Sequence, residues 1–69
     1  MEIILYKVII RASGTKSLMV RNKKVEDWTE ALIGHPSEDG DYEDFEDRLK
    51  LLLAGYEDRG YQIVEVPNI

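Results

Sequence analysis

The 69-residue sequence contains no cysteine. Disulfides and thiolate-bound metals are therefore excluded, and the absence fits a reducing compartment. Residues 1–69 are expected to form a single small domain, in which a core of this size typically leaves only about 3–5 kcal/mol of net stability. Because covalent and thiolate cross-links are excluded, association with a second chain is one way to gain stability.

No apolar run is long enough for a membrane span. The most apolar stretch, residues 1–10, is short and contains Glu2 and Lys7. A membrane-spanning helix needs about 20 apolar residues, and a secretory leader needs a basic start and a cleavage site that this stretch lacks. We therefore expect a strand here, no membrane partner and a cytoplasmic location.

Acidic and basic residues are unevenly distributed along the chain, whose net charge is −5. Residues 1–24 contain six basic residues and one acidic residue, whereas residues 25–69 contain three basic and thirteen acidic residues. This difference predicts one basic and one acidic surface in the folded domain. Either the two surfaces attract each other within the fold, or one of them faces a charged partner.

Hydrophobic periodicity predicts an α+β domain that begins with a hairpin and ends with a strand. Residues 3–11 are rich in β-branched side chains and apolar on both faces, which is typical of a central strand. Gly14 supplies the positive φ of a hairpin turn, and residues 17–22 form the second, antiparallel strand. Residues 61–66 form the third strand.

Two helices are predicted between the hairpin and the last strand. Val25, Trp28 and Leu32 recur at the spacing of a short helix over residues 25–33. A longer apolar stripe predicts a second helix over residues 42–59. The expected fold is therefore β-β-α-α-β, a three-stranded sheet of order 2-1-3 with both helices on one face.

Helices on one side of a three-stranded sheet leave its other face uncovered. An exposed apolar patch rimmed by charge is typical of a partner-binding surface or a homodimer interface. Partial cover by residues 67–69 is the alternative. The predicted residues of this open sheet face are Ile3, Leu5, Lys7, Ile9, Arg11 and Arg21.

Half of the fourteen acidic residues lie between Glu38 and Asp47. Asp41 could cap the second helix, and acidic side chains in a first turn interact favourably with the helix dipole. Carboxylates on an exposed helix could instead imitate DNA phosphates and bind a basic groove on an enzyme. The predicted residues of this acidic face are Asp39, Glu43, Asp44, Glu46, Asp47, Glu57 and Asp58.

No catalytic or metal-binding pattern is complete. The acidic run departs from a calcium loop, because Asp44 stands where glycine is required and Lys50 where a carboxylate is required. A looser cation site at residues 38–41 stays an alternative. His35, the only histidine, is expected in a solvated loop. We predict a protein that is not an enzyme and has no catalytic residue, metal or cofactor.

The basic N-terminal hairpin raises nucleic-acid binding as an alternative, because lysine and arginine can follow phosphates. Single-strand binders also use aromatic platforms, and none is expected on the open sheet face, since Tyr6 lies on the opposite side. The overall negative charge also opposes it. Nucleic acid is therefore a disfavoured partner.

Two segments, YKVI at residues 6–9 and LLLAGYEDRGYQIVEV at residues 51–66, resemble a small family of uncharacterised bacterial and phage proteins. Members open with a YKVV-type strand and end with a helix, a glycine, an aromatic residue and a strand; the family usually has tryptophan in place of Tyr61. The resemblance covers less than half of the chain, and it implies the fold rather than an activity.

The small size, acidity and lack of catalytic residues are also similar to those of phage and mobile-element proteins that inhibit host enzymes, including anti-CRISPR proteins. This likeness implies a protein–protein interaction module that inhibits a nucleic-acid-handling enzyme. The acidic face would then act as a DNA mimic. A homodimeric structural domain and a weak nucleic-acid binder are the alternative functions.

Overall fold

The computed structural model describes residues 2–25 and 27–67. Within them the elements are β1 (Ile3–Ile10), β2 (Lys16–Asn22), β3 (Thr29–Gly34), α1 (Phe45–Asp58) and β4 (Gln62–Glu65). The four strands form a mixed sheet of order β3-β2-β1-β4, in which only the β1–β4 pair is parallel. No helix within these residues has the length and apolar character needed to cross a membrane.

The predicted β-β-α-α-β fold of three strands and two helices is wrong, because the described residues form β-β-β-α-β with a single helix. The helix predicted over residues 25–33 is replaced by β3, which adds an edge strand that the order 2-1-3 lacked. The spacing of Val25, Trp28 and Leu32 is compatible with a helix of about two turns. Backbone pairing with the free edge of β2 outweighs that local pattern.

The hairpin and the central position of the first strand are both present. Gly14 has a φ of 91°, and its N–H donates to the carbonyl of Arg11 at 2.8 Å. The N–H of Arg11 in turn donates to the carbonyl of Thr15, which closes the turn, and β1 ends at Ile10 instead of Arg11. The parallel pairing of β1 with β4 requires a crossover connection, which α1 provides.

The core lies between α1 and one face of the sheet. Its buried residues are Ile4, Leu18, Val20, Phe45 and Leu49. The sheet residues come from the two central strands, and the helix residues lie one turn apart. Burying a side chain of this size stabilises the fold by roughly 1.5–3 kcal/mol. The core therefore fixes which face of the sheet is covered.

The start of α1 differs from the prediction. The helix begins at Phe45 instead of Tyr42, and Asp44 occupies the cap position with a φ of 61° and no side-chain capping hydrogen bond. The predicted cap at Asp41 is therefore wrong. The hydroxyl of Tyr42 donates to the carbonyl of Gly14 at 2.6 Å. This hydrogen bond connects the loop before α1 to the hairpin turn, and Tyr42 lies in that loop and not in the helix.

Candidate interaction surfaces

All six predicted residues of the open sheet face lie on the side of the sheet opposite α1. Along β1, the side chains of Ile3, Leu5, Lys7 and Ile9 point away from the side that carries the core residue Ile4. Across the hairpin, Leu5 pairs with Arg21, so Arg21 lies on the same side as Leu5. Lys7 pairs with Met19, so that Met19 joins the same side. The register thus brings together the residues that alternation alone had grouped.

This side of the sheet carries apolar side chains in contact with solvent. Ile33 of β3 is 45% exposed and Val64 of β4 is 38% exposed. Ile3, Leu5 and Ile9 are half-buried. No described helix covers this side, since α1 packs on the other. Residues 68 and 69, part of the alternative cover by residues 67–69, lie outside the described residues. Among the described residues, this side of the sheet exposes apolar side chains to solvent.

Trp28 lies on the open side of the sheet instead of on a helix. Its ring centroid is 4.5 Å from Nζ of Lys7 and 5.4 Å from Cζ of Arg21. Trp28 directly precedes β3, whose last pair with β2 joins Thr29 to Val20, the residue before Arg21. The expectation that this face has no aromatic side chain is wrong.

A hydrogen-bonded ion pair occupies the same side of the sheet. Oε2 of Glu30 accepts from Oγ of Ser17 at 2.6 Å and from Nη2 of Arg11 at 2.9 Å. The hydrogen bond from Ser17 and then that from Arg11 lower the pKa of the Glu30 carboxyl. Ser17 is fully buried, and its hydrogen bond to Glu30 satisfies the buried hydroxyl group. Arg11 is therefore paired with a carboxylate within the fold.

The other two cations of the open sheet face have no such partner. Among residues 2–25 and 27–67, no carboxylate lies within 4.0 Å of Lys7 or Arg21. Arg21 donates from Nη1 to the backbone carbonyl of Val25 at 2.8 Å, which fixes its guanidinium without removing its charge. The positive charge available to a partner on this side therefore comes from Lys7 and Arg21, beside the Trp28 ring.

The predicted acidic residues are all exposed but do not form one continuous row. Asp39 lies in a turn of the long loop, Glu43 and Asp44 immediately precede α1, Glu46 and Asp47 lie in its first turn, and Glu57 and Asp58 in its last. The first-turn and last-turn pairs are about 16 Å apart along the helix axis. The structure thus divides the acidic face between a loop and two helix ends.

Leu51 lies on α1 between the two acidic pairs and is 74% exposed. One turn later, Gly55 has no side chain to fill the adjacent space. An open groove of about 230 Å³ results, lined by Leu51, Leu52, Gly55, Tyr56 and Arg59. Sequence reasoning missed Leu51 as a surface residue. Its position outside the apolar stripe of the helix was the available signal.

The basic hairpin and the acidic helix meet at Lys16. Its Nζ atom is 4.0 Å from Oε1 of Glu46, and it lies 5.1 Å and 4.9 Å from the ring centroids of Tyr42 and Phe45. The Glu46 side chain is nevertheless 68% exposed. Attraction within the fold therefore accounts for part of the charge asymmetry, and most of the acidic side chains face solvent.

The acidic loop does not assemble a metal site. Among the described residues, no group of three or more histidine or carboxylate side chains could hold a metal ion, so the looser cation site at residues 38–41 is not formed. His35 is exposed in the loop between β3 and α1, as expected.

No protein-family model, curated protein or solved structure matches this chain. The resemblance to the small bacterial and phage family stays a prediction, and so does the likeness to anti-CRISPR proteins.

Proposed function

We propose that this protein is a non-enzymatic protein–protein interaction module that binds a basic partner through the outer surface of α1. This outer surface carries four carboxylates and an exposed leucine, together with two exposed cations: Glu46, Asp47, Glu57, Asp58, Leu51, Arg48 and Lys50. The supporting observation is Leu51, a large apolar side chain 74% exposed between carboxylates. The partner would therefore present lysine or arginine around an apolar contact.

An exposed leucine beside a groove fits the composition of binding sites. Binding free energy is concentrated in a few apolar anchors near the centre of an interface, while charged residues occupy the rim. On α1 the groove next to Leu51 and Gly55 is central, and carboxylates lie toward both helix ends. Charge complementarity would set the rate and specificity of association more than its strength.

The last turn of α1 carries acidic residues where the helix dipole disfavours them. Glu57 and Asp58 lie beside the free carbonyl groups, and no basic residue lies in that turn. Each misplaced charge at a helix end costs about 0.3–1 kcal/mol. Local choices that oppose stability are expected where a surface is needed for binding.

The partner class that fits this surface is an enzyme with a groove for nucleic acid. Such a groove is lined by lysine and arginine, and carboxylates at both ends of α1 would occupy phosphate subsites within it. The protein would then act as an inhibitor of the kind that phages and mobile elements encode. Duplex DNA should compete with it for the groove.

A homodimer through the open sheet face is the second candidate, favoured by the exposure of Ile33 and Val64. A symmetric dimer applies the same patch to itself, so that Lys7 and Arg21 of both copies would enter one interface. Like charges at an interface cost affinity. Sedimentation at high protein concentration tests this alternative, which requires a dimer mass.

The test of the main proposal compares tagged wild-type protein with two charge-reversed variants. Asp47→Lys with Asp58→Lys alters the outer surface of α1, and Glu38→Lys with Asp41→Lys makes the same charge change in the preceding loop. Proteins captured from extracts of the source cells are quantified by mass spectrometry, after circular dichroism has shown that each variant is folded.

We expect a captured nucleic-acid-handling enzyme to be lost with the α1 variant, retained with the loop variant and displaced by duplex DNA. Leu51→Ala should weaken capture without any change of charge. Equal capture by both charge-reversed variants, or capture insensitive to DNA, would remove the outer surface of α1 from the function.

A further inference from the structure

We infer that the open sheet face binds single-stranded nucleic acid, with the Trp28 ring as a platform for one base and Lys7 and Arg21 as contacts for the flanking phosphates. This site lies opposite the outer surface of α1 and does not depend on the function proposed for that surface.

The ring and both cations are held within a few ångströms of each other. Nζ of Lys7 lies 4.5 Å from the ring centroid, and Cζ of Arg21 lies 5.4 Å from it. An aromatic ring next to cations is the combination that single-strand binding sites use, because bases stack on the ring while the backbone contacts the charges. Neither element alone would indicate a nucleic acid.

The two cations differ in how firmly they are held. Arg21 is fixed by its hydrogen bond to the carbonyl of Val25 at 2.8 Å. Lys7 has a flexible stem, and its cation–π contact with Trp28 is weak because the site is partly exposed. A base could therefore replace the Lys7 ammonium on the ring, and the displaced ammonium would remain within reach of the adjacent phosphate.

Local charge on this side of the sheet is positive although the whole chain is acidic. Among the described strand residues on this side, Glu30 is the carboxylate, and it is paired with Arg11. Asp27 is exposed in the loop directly before Trp28. Lys23 and Lys24 extend the positive charge from the exposed turn after β2. The carboxylates of α1 lie in the other layer, so the net charge of −5 does not describe the surface that a phosphate would meet.

The shape of the site favours a single strand over a duplex. The open side is a four-stranded surface, with no described helix or ribbon projecting from it to enter a major groove. Duplex bases are stacked on one another, whereas the splayed bases of a single strand can stack on an aromatic side chain of a sheet. Leu5 and Met19 alternate with the cations on the same side and provide apolar surface for base and sugar.

An acidic peptide could bind the same two cations, but its carboxylate side chains would not stack on the Trp28 ring. The Trp28 contribution therefore distinguishes the two ligands, because stacking on the ring requires a base.

Trp28 is the only tryptophan in the chain, so its fluorescence reports on the site directly. The probe is a dT oligonucleotide of about 10 nucleotides, within the length that one small site covers. Quenching of Trp28 and anisotropy of the labelled oligonucleotide should give the same affinity. Two phosphate contacts predict an about sevenfold loss of affinity between about 50 and 200 mM salt.

Variants separate the site from general attraction to charge. Trp28→Ala should lower the affinity at least about fivefold, and Trp28→Phe should lower it less because a smaller ring remains. Lys7→Gln and Arg21→Gln should each lower the slope of log affinity against log salt by about the amount that one phosphate contact contributes. Lys50→Gln makes the same charge change on exposed α1 and should leave the affinity unchanged.

Four results would overturn the assignment. The first is no quenching and no anisotropy change at low salt, and the second is a loss of affinity with Lys50→Gln that equals the loss with Lys7→Gln or Arg21→Gln. The third is tighter binding of duplex than of single-stranded DNA. The fourth is a poly-glutamate peptide that binds as tightly as the oligonucleotide. Because Trp28→Phe and Lys7→Gln make small changes at partly exposed positions, a failure of Trp28→Ala to fold would not remove the test.

Discussion

A Cβ atom on Gly34 would lie 2.6 Å from Cδ2 of Phe45. The last residue of β3 and the first residue of α1 are therefore in contact only because Gly34 has no side chain. Phe45 is one of the most buried residues of the core, at 2% exposed. This contact sets how closely α1 approaches the edge of the sheet.

Replacing Gly34 by alanine should destabilise the protein by about 1–3 kcal/mol, because the added methyl group must displace the Phe45 ring or the backbone. Urea denaturation followed by circular dichroism measures the change. Gly55→Ala is the matched control: it lies inside α1, a Cβ there meets nothing within 4 Å, and it should stabilise by about 1 kcal/mol. If both substitutions changed the free energy of unfolding by a similar amount, the Gly34–Phe45 contact would not be the cause of the destabilisation.

Reversing the charge at the end of α1 should stabilise the domain. Asp58→Lys replaces an unfavourable charge at the negative end of the helix dipole by a favourable one. Because each of the two effects is about 0.3–1 kcal/mol, we expect a gain of about 0.6–2 kcal/mol that falls with added salt. Asp47→Lys, at the other end of the helix, should destabilise by a similar amount. Thermal unfolding at two salt concentrations measures both effects, and a stabilising Asp47→Lys would exclude the dipole as the cause.

Removal of the Tyr42 hydroxyl should loosen the loop before α1. Its hydrogen bond to the Gly14 carbonyl, at 2.6 Å, is partly buried, and Tyr42→Phe should cost about 1 kcal/mol while the ring stays in place. Tyr61→Phe is the control, since that ring packs edge-on against Tyr56. Hydrogen exchange of the Gly14 turn should accelerate in the first variant only; unchanged exchange would show that the loop is held in another way.

The Glu30 ion pair should give the stability a dependence on acid pH. Because hydrogen bonds from Ser17 and Arg11 lower the pKa of folded Glu30, the folded state binds its proton less readily than the unfolded state. The resulting stabilisation is complete above the ordinary glutamate pKa of about 4.3 and is lost as the pH falls from there through the lower folded pKa.

Glu30→Gln keeps an oxygen that accepts from Ser17 but cannot titrate. Its unfolding free energy, measured by denaturant titration between neutral pH and acid pH, should therefore fall less steeply than that of the wild type. Parallel curves for the two proteins would show that Glu30 does not contribute to acid sensitivity.

Two parts of the fold depend mainly on local sequence, and both were predicted. Alternation of apolar residues and a turn glycine specify a hairpin within a few residues, as Gly14 does between β1 and β2. The apolar stripe of α1 likewise predicts which side of the helix is buried, including Phe45 and Leu49. The beginning of the helix was not predictable, because the hydroxyl of Tyr42 is fixed by a residue distant in sequence.

Local periodicity was enough to predict the hairpin, the central position of β1, the buried side of α1 and the side of β1 on which Ile3, Leu5, Lys7 and Ile9 lie, since side chains alternate along a strand and recur every 3.6 residues along a helix. Tertiary structure alone decided the segment that contains Trp28. Its apolar spacing is compatible with a helix, and only hydrogen bonding to the free edge of β2 makes Thr29–Gly34 a strand. That pairing fixes Thr29, the residue after Trp28, opposite Val20, so that the Trp28 ring lies beside Lys7 and Arg21. Strand pairing follows the register of the neighbouring strand and not the apolar spacing of the segment itself.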